Sequence, residues 1–250
     1  MSKALPKVRL VIPCLNEVAQ LEWSVTTCRE YLGKNFPYRW EVFVADNGST
    51  DGTAELAKAL SERWSDVGYF TIPKRGRGRA LRKAWTECDA DIVAYTDVDL
   101  STELEALEKL ARAIHEGGCD IATGSRLLPD SRIQRGVKRE VISRCYNLMI
   151  KLVLFTHFSD AQCGFKAVSR RVVDEIVPLI EDEAWFFDTE LLVLGEKRGY
   201  KIADVPVKWI DDDDSRVKIV STAWEDIKGV WRVRRKLWSG TLEPRAAASE

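Results

Sequence analysis

Before residue 117 the sequence alternates four times between short β-branched apolar runs and longer stretches with helical spacing. The runs at residues 8–12, 40–45 and 68–72, and the one that begins at Ile92, read as buried strands. The stretches at 17–31, from 53, at 80–88 and at 103–115 read as the helices between and after them. The first carries Leu21, Val25, Cys28 and Leu32 on one face and is closed by Gly33. Such alternation predicts an α/β fold with a mostly parallel central sheet flanked by helices, in which ligands sit outside the C-terminal ends of the strands. All four strand-to-helix loops fall on that one edge, and each is rich in polar chemistry.

The fourth loop is the most pointed. The run Ile92-Val93-Ala94-Tyr95-Thr96 stops at Asp97-Val98-Asp99, and carboxylates two apart on an extended chain face the same side. Two hard oxygen donors without a nearby His or Cys suit Mg²⁺ or Mn²⁺ shared with the phosphates of a nucleotide. The plainer alternative is an acidic turn with Ser101 or Thr102 capping the next helix. The first loop is Pro13-Cys14-Leu15-Asn16-Glu17. The second, from Asp46 through Asn47, Ser49 and Asp51 to Thr53, sets acceptors and hydroxyls beside two glycines, either as a ligand cradle or as an ordinary Asn-Gly turn. The third, Lys74 to Arg79, alternates Arg75, Arg77 and Arg79 with glycines ahead of a helix. It suits a pyrophosphate or is a solvated basic loop.

Past residue 117 the alternation loosens. A strand at 120–123 ends in Gly124-Ser125-Arg126, and Arg132, Arg135, Lys138 and Arg139 form a basic stretch. Residues 140–158 are helical and apolar on more than one face, as a core helix or an interfacial one would be. The polar loop 159–167, with Gln162 and Lys166, enters a short strand. A helix at 169–180 ends around Pro178. Another runs over 188–198, for which Asp188 is placed as N-cap, and a strand spans 201–209. Four aspartates from Asp211 to Asp214 read as a solvated loop. A helix at 222–238 sets Trp224, Trp231 and Trp238 beside Lys and Arg, and residues 241–250 read as a disordered tail. The simplest division is one domain over 1–220 and a C-terminal amphipathic helix over 221–240.

The bulk numbers narrow the classes. The chain of 250 residues carries 38 Lys and Arg against 39 Asp and Glu, so no global field draws it to nucleic acid. No charged-then-apolar leader and no apolar run near the ~20 residues of a membrane span is visible, which gives a cytoplasmic expectation. Six cysteines without a C-x-x-C pair, and only His115 and His157, fit free thiols in a reducing compartment rather than zinc.

Taken in order, Ile12 to Glu17, Asp46 to Thr53, the basic Gly-rich loop, Asp97-Val98-Asp99 and Gly124-Ser125-Arg126 resemble a family 2 glycosyltransferase with the GT-A fold. Arg139-Glu140-Val141-Ile142-Ser143, followed by Asp160 to Lys166, resembles the polyprenyl-phosphate sugar synthases. The run Gln162-Cys163-Gly164-Phe165-Lys166 is most similar to the dolichyl-phosphate glucosyltransferase branch. The resemblance implies that Pro13, Asn16, Glu17, Asp46 and Asp51 border the nucleoside, and that Asp97 and Asp99 hold the diphosphate through Mg²⁺ or Mn²⁺. It implies that Arg126, Arg139 and Ser143 grip a lipid phosphate, with Gln162 and Lys166 beside them. The mannose branch has Gln where this chain has Ser101, which leaves the metal room for an extra water. Many relatives also carry transmembrane helices after the catalytic domain. Here contact with a membrane surface or a membrane protein would come from the 140–158 and 222–238 helices.

The expected reaction is an inverting transfer of a hexose from a nucleotide sugar to a polyprenyl or dolichyl phosphate at the inner membrane face. UDP-glucose is favoured as donor and GDP-mannose is the rival. A monophosphate acceptor is already mostly dianionic near neutral pH and needs positioning rather than deprotonation. A hydroxyl acceptor would need a base, for which Asp188 or Glu190 is the candidate. Asp188 thus stands as base, helix cap or acceptor contact. The alternatives are transfer to a soluble acceptor and a non-catalytic nucleotide-sugar-binding subunit. Either form could be an oligomer.

Overall fold

The computed structural model describes residues 5–134, 136–210 and 219–239, without the side chains of 137, 138 and 219–223. Arg135, the Asp211–Asp214 loop and the 241–250 tail lie outside the described residues. In chain order the elements are β1 (Lys7–Cys14), α1 (Val18–Asn35), β2 (Arg39–Asp46), α2 (Thr53–Arg63), β3 (Val67–Thr71), α3 (Arg77–Thr86), β4 (Ile92–Thr96), α4 (Glu105–His115) and β5 (Ile121–Ser125). They continue with β6 (Arg132–Gln134), α5 (Val137–Leu154), β7 (Phe165–Ser169), α6 (Arg170–Glu175), a 3₁₀ turn (Val177–Leu179), α7 (Phe187–Lys197), β8 (Ile202–Pro206), β9 (Lys208–Ile210) and α8 (Ile219–Trp238).

Seven strands form one sheet in the order β3-β2-β1-β4-β7-β5-β8, and β6 pairs with β9 in a short ribbon. β7 runs antiparallel between β4 and β5, and the other neighbours in the large sheet are parallel. The predicted α/β class with a mostly parallel sheet is therefore what the chain adopts. The chain moves outward from β1 to β2 and β3, then crosses back to β4 on the other side of β1. Ligand crevices in open α/β sheets lie at such a reversal, and here the first loop and Asp97 flank it.

β1 is buried on both faces, which is why its sequence is nearly unbroken in apolar residues. Val8, Leu10 and Ile12 pack under α1, α2 and α4. Val11, with Val93 and Tyr95 of β4, enters the opposite core beneath α3, α5, α6 and α7. The exception is Arg9, whose guanidinium pairs with Glu41 and donates to Ala84 O.

Several boundaries differ from the sequence reading. α1 runs past Gly33 to Asn35, so this glycine lies within the helix and does not stop it. α3 starts at Arg77, which puts Arg77 and Arg79 on the helix rather than in the loop before it. Gly76 makes that sharp start, with φ 154° and a Cβ position only 2.5 Å from Glu183 O. α4 is preceded by Leu104 rather than by a Ser101 or Thr102 cap, because Thr102 bridges to Trp209. The single strand predicted over 201–209 is two strands, parted at Val207 after Pro206.

α8 is fixed to the body by apolar and ionic contacts. Val230 and Val233 are buried in the second core. Arg232 donates to Glu190 Oε2 at 2.7 Å, and Lys236 pairs with Glu181 at 2.6 Å. Glu190 has no exposed surface and also accepts from Asp182 N, so its carboxylate anchors α8.

Candidate active site

The first two loops are stitched together by their own polar groups. Asn47 donates from its side chain to Cys14 O, Asn16 N to Ser49 Oγ, Thr50 N to Asn16 Oδ1, and Glu17 N to Thr53 Oγ1. Asn16 adopts the left-handed conformation, φ 57°, to make this join. Asp46 is buried and accepts from Ser49 N and the Thr71 hydroxyl. Asp51 is exposed and accepts from Thr53 and Val18 N. Its slight burial works against ionisation, yet the Thr53 hydroxyl and these amides hold its carboxyl below the usual value. Pro13 lies buried at the end of β1. Gly76 N reaches Asn47 Oδ1, which joins the third loop to the second. Arg75 is exposed, while Arg79 folds back onto Glu183 and the carbonyls of Lys74 and Arg75.

Beside these loops lies a compact charged cluster. Asp97 follows β4 directly, and Arg77 donates from Nη2 to Asp97 Oδ1 at 2.7 Å and from Nη1 to Asp188 Oδ2 at 2.6 Å. The guanidinium sits 4.7 Å from the Tyr95 ring centre and 5.2 Å from that of Trp185. The Tyr95 hydroxyl donates to Asp188 Oδ1 at 2.7 Å, and Lys166 Nζ lies 3.7 Å from the same oxygen while donating to Cys163 O. Burial pushes the Asp188 carboxyl upward, but Lys166, Arg77 and the Tyr95 hydroxyl override it and hold it below the usual range. Asp188 lies in the first turn of α7, whose N-cap is Phe186, so its oxygens serve Arg77 and Tyr95 and not the helix amides. Lys166 has no exposed surface, and its ammonium faces Tyr95, Cys163 O and Asp188 rather than opening to an acceptor phosphate as the sequence led one to expect.

Asp97 is otherwise open, with its side chain 41% exposed. Its Oδ2 lies over Gly164, where a Cβ would stand 1.7 Å away. Asp99 Oδ1 accepts from Ser101 N. Among the described residues no three His, Cys, Asp or Glu side chains converge on one point. The two aspartates are thus a partial, oxygen-only donor set, of the sort that suits a hard divalent cation carrying phosphate and water ligands.

A second cluster adjoins the first across the 159–166 loop. Arg126 grips Asp160 with two prongs, Nε to Oδ2 at 2.7 Å and Nη2 to Oδ1 at 3.0 Å, and Asp160 is wholly buried. Burial alone would raise the Asp160 carboxyl; the Arg126 charge and hydrogen bonds bring it down to about 2. Asn147 links this pair to α5, donating to Ser143 O at 3.0 Å while Ala161 N donates to Asn147 Oδ1. Ser143 Oγ is buried and has no hydrogen-bond partner among the described residues. A buried hydroxyl left unpaired is costly, so this one is suited to a ligand. Arg139 lies one turn before Ser143, near the N-terminus of α5. Gln162 is exposed at the loop tip and donates to Asp226 of α8 at 3.3 Å. Burial raises the Asp226 carboxyl to about 6.

The structure thus joins Asp97 to Asp188 and Lys166, and Arg126 to Ser143 and Gln162, as two adjacent clusters. Sequence reasoning missed Tyr95, Asn147 and Asp160, and named Arg77 only as one of three arginines. Ser143 and Asn147, four apart on a helix, carried the one signal that could have paired them.

A family described as Glycosyl transferase family 2 matches residues 10–177, more than half of the chain. The chain belongs to this family. The transferase is 37% identical to the glycosyltransferase AglD of Haloferax volcanii over 242 residues, covering 96% of this chain and 38% of AglD. It is 26% identical to the dolichyl-phosphate beta-glucosyltransferase of Saccharomyces cerevisiae, covering 88% of this chain and 75% of that protein. The human dolichyl-phosphate beta-glucosyltransferase is 27% identical, with 84% and 69% covered. The transferase therefore spans well under half of AglD. Its fold matches glucosyl-3-phosphoglycerate synthase from Mycobacterium tuberculosis in complex with UDP, with TM-score 0.69 at 20% identity over 92% of this chain and 80% of that one. The same mycobacterial enzyme has been solved with Mn²⁺, UDP-glucose and phosphoglyceric acid (TM-score 0.68, 18% identity, 92% and 79% covered).

Proposed function

We propose that this family 2 glycosyltransferase is metal-dependent and inverting, and moves glucose from UDP-glucose to a polyprenyl or dolichyl phosphate. The observation that carries the reading is the state of Asp188. A general base must have a free lone pair and a proton affinity near the working pH. Both Asp188 oxygens are engaged by Arg77, Tyr95 and Lys166, and its carboxyl is held below the usual range. Glu190, the other candidate base, is buried under Arg232. An acceptor that carries its own negative charge needs neither. The names of the 26–27% identical relatives support a lipid phosphate acceptor and a glucosyl donor.

In this reading the nucleoside lies along the stitched first and second loops, bordered by Pro13, Asn16, Glu17, Asp46, Asn47, Ser49 and Asp51. Asp97 and Asp99 would hold a Mg²⁺ or Mn²⁺, which supplies positive charge to the leaving diphosphate. Arg75, exposed in the third loop, would meet phosphate from the solvent side. Arg126, Arg139 and the unpaired Ser143 hydroxyl orient the acceptor phosphate, whose oxygen attacks the anomeric carbon as the bond to the diphosphate breaks. Asp160 keeps the Arg126 fork in place.

The lipid reading also accounts for the surface of α5 and α8. Val141, Leu148 and Leu152 of α5 are exposed, as are Phe155 just after it and Trp224, Trp231 and Trp238 of α8. Arg234 stacks on Phe155 and Trp238 at 4.8 and 4.7 Å, which sets these two exposed aromatic rings around one cation. No described helix is long and apolar enough to cross a membrane, and exposed apolar side chains of this kind suit peripheral docking on the cytoplasmic leaflet. We treat residues 1–220 as the transferase domain and the α8 region as its docking element.

A second reading, transfer to a soluble phosphorylated acceptor, is favoured by the mycobacterial structure that holds phosphoglyceric acid. A donor and acceptor panel separates them. Nucleoside diphosphate release is followed from UDP-glucose and GDP-mannose, with Mg²⁺ or Mn²⁺, using a short polyprenyl phosphate or 3-phosphoglycerate. Turnover of UDP-glucose that requires the lipid phosphate supports the leading reading. Turnover only with phosphoglycerate selects the second, preference for GDP-mannose replaces the sugar, and binding without turnover leaves a nucleotide-sugar-binding subunit.

A further inference from the structure

Arg77 is bound more tightly than a phosphate-reading arginine needs to be. Its side chain is 9% exposed, its guanidinium lies between Tyr95 and Trp185, and its two terminal nitrogens are committed to different carboxylates. One of those, Asp97, is the open aspartate that would take a divalent ion. We infer that Arg77 and a divalent ion compete for Asp97, and that a nucleoside diphosphate relieves the competition by drawing the guanidinium onto its phosphate oxygens.

This competition presupposes the donor-site reading above, and three features of the cluster support it. First, the Arg77 hydrogen bond at 2.7 Å is to Asp97 Oδ1, so a divalent ion on that oxygen would stand within a few ångströms of a buried guanidinium. Like charges at that distance, poorly screened, oppose each other strongly. Second, Asp188 does not depend on Arg77 alone. It keeps the Tyr95 hydroxyl and the Lys166 ammonium on Oδ1 if the guanidinium turns away from Oδ2, so release leaves the carboxylate charge still paired. Third, Arg77 is the first residue of α3 and follows Gly76, beside the loop that faces a diphosphate in this reading. A guanidinium fork exchanges a carboxylate for phosphate oxygens with little loss, because both accept paired N–H donors.

The consequence is coupling between ion and nucleotide. Each ligand pays less to bind once the other has arrived, and the enhancement must be equal in both directions. Trp185, half exposed over the guanidinium, holds Arg77 toward Asp97 and so sets the strength of the competition. Arg77 is in this sense a positioning residue whose effect appears in binding before any turnover.

The test is Mn²⁺ binding to the full chain by isothermal titration and by the EPR signal of free Mn²⁺, with and without UDP. The proteins are the wild type, Arg77→Lys and Trp185→Ala. Lysine keeps the charge but cannot hold both carboxylates. Arg77→Lys is expected to bind Mn²⁺ alone about tenfold more tightly than the wild type, and the enhancement by UDP is expected to shrink by a similar factor, within the usual range of such couplings. Trp185→Ala, a change at an exposed position that leaves the core intact, should move both quantities the same way by a few-fold. Unchanged Mn²⁺ affinity and unchanged UDP enhancement in the folded variants would overturn the inference while leaving the donor site standing. Absence of Mn²⁺ binding in every protein, even with UDP, would overturn the donor-site reading and this inference with it.

Discussion

Arg126 and Asp160 meet in a two-pronged pair, with Nε 2.7 Å from Oδ2 and Nη2 3.0 Å from Oδ1, on a carboxylate that has no exposed surface. The pair fixes the plane of the guanidinium, so the direction in which Arg126 offers its remaining N–H is set by Asp160. In the proposed reaction this directs the acceptor phosphate.

Asp160→Asn should therefore cost both fold and acceptor binding. The folded Asp160 carboxyl lies at about 2, below the usual aspartate value. The pair's contribution is present above the unfolded value and is lost as pH falls toward 2. At pH 7 the variant leaves Arg126 buried with a neutral partner, an expected loss of about 3 kcal/mol, read in a denaturant melt. Among folded molecules KM for the acceptor should rise more than kcat falls.

Gly164 is the floor under Asp97, because a Cβ there would stand 1.7 Å from Asp97 Oδ2. Gly164→Ala must push that carboxylate aside. Displacing a reacting group by about 1 Å costs about 10²-fold in rate, so turnover should fall by that order while UDP binding in the absence of metal is retained. Equal turnover in the variant would show that Asp97 has no fixed role.

Asp226 couples α8 to the acceptor loop through Gln162. Burial raises its carboxyl to about 6, opposed by the hydroxyl of Tyr146 and the amide of Gln162 and reinforced by Asp182 and Asp188. A raised acid favours the folded form while protonated, so stability is lost as pH climbs from the unfolded value through about 6. Asp226→Asn should stabilise the chain at pH 7.5 by on the order of 2 kcal/mol and have no effect below pH 4. Thermal melts across that range, with tryptophan emission as the signal, check the sign.

Trp231 and Trp238 of α8 are exposed. Changing both to Ser should weaken binding to anionic vesicles by about tenfold or more, as expected for losing two interfacial anchors, without lowering turnover of a short, water-dispersed acceptor. Equal sedimentation with vesicles would remove the docking role.

Much of this was legible in the sequence, for identifiable reasons. Strand and helix periods write the alternation from β1 to α4 directly, and the Asp97 pair announces itself because it breaks a buried strand. Register and direction are not written there: β7 has the same apolar pattern whichever way it runs, and only the sheet order shows it antiparallel between β4 and β5. Side-chain partnership was equally hidden. Arg77 meets Asp97 across 20 positions and Asp188 across 111, and no local spacing encodes such a meeting. Asp188 looked like a helix cap because its neighbours in sequence are a helix start, whereas its neighbours in space are Arg77, Tyr95 and Lys166. Gly33 looked like a stop for the same reason, yet α1 continues through it to Asn35.

The central claim is that the acceptor supplies its own negative charge and that Asp188 is no base. The most direct measurement follows radiolabelled glucose from UDP-glucose into the organic phase, with Mn²⁺ and either a short polyprenyl phosphate or the unphosphorylated prenol of the same length. The account predicts label in the lipid phosphate and none in the prenol, with a rate that rises with pH through about 6 as the phosphate takes its second charge. Transfer to the prenol at a comparable rate, abolished in Asp188→Asn, would contradict it.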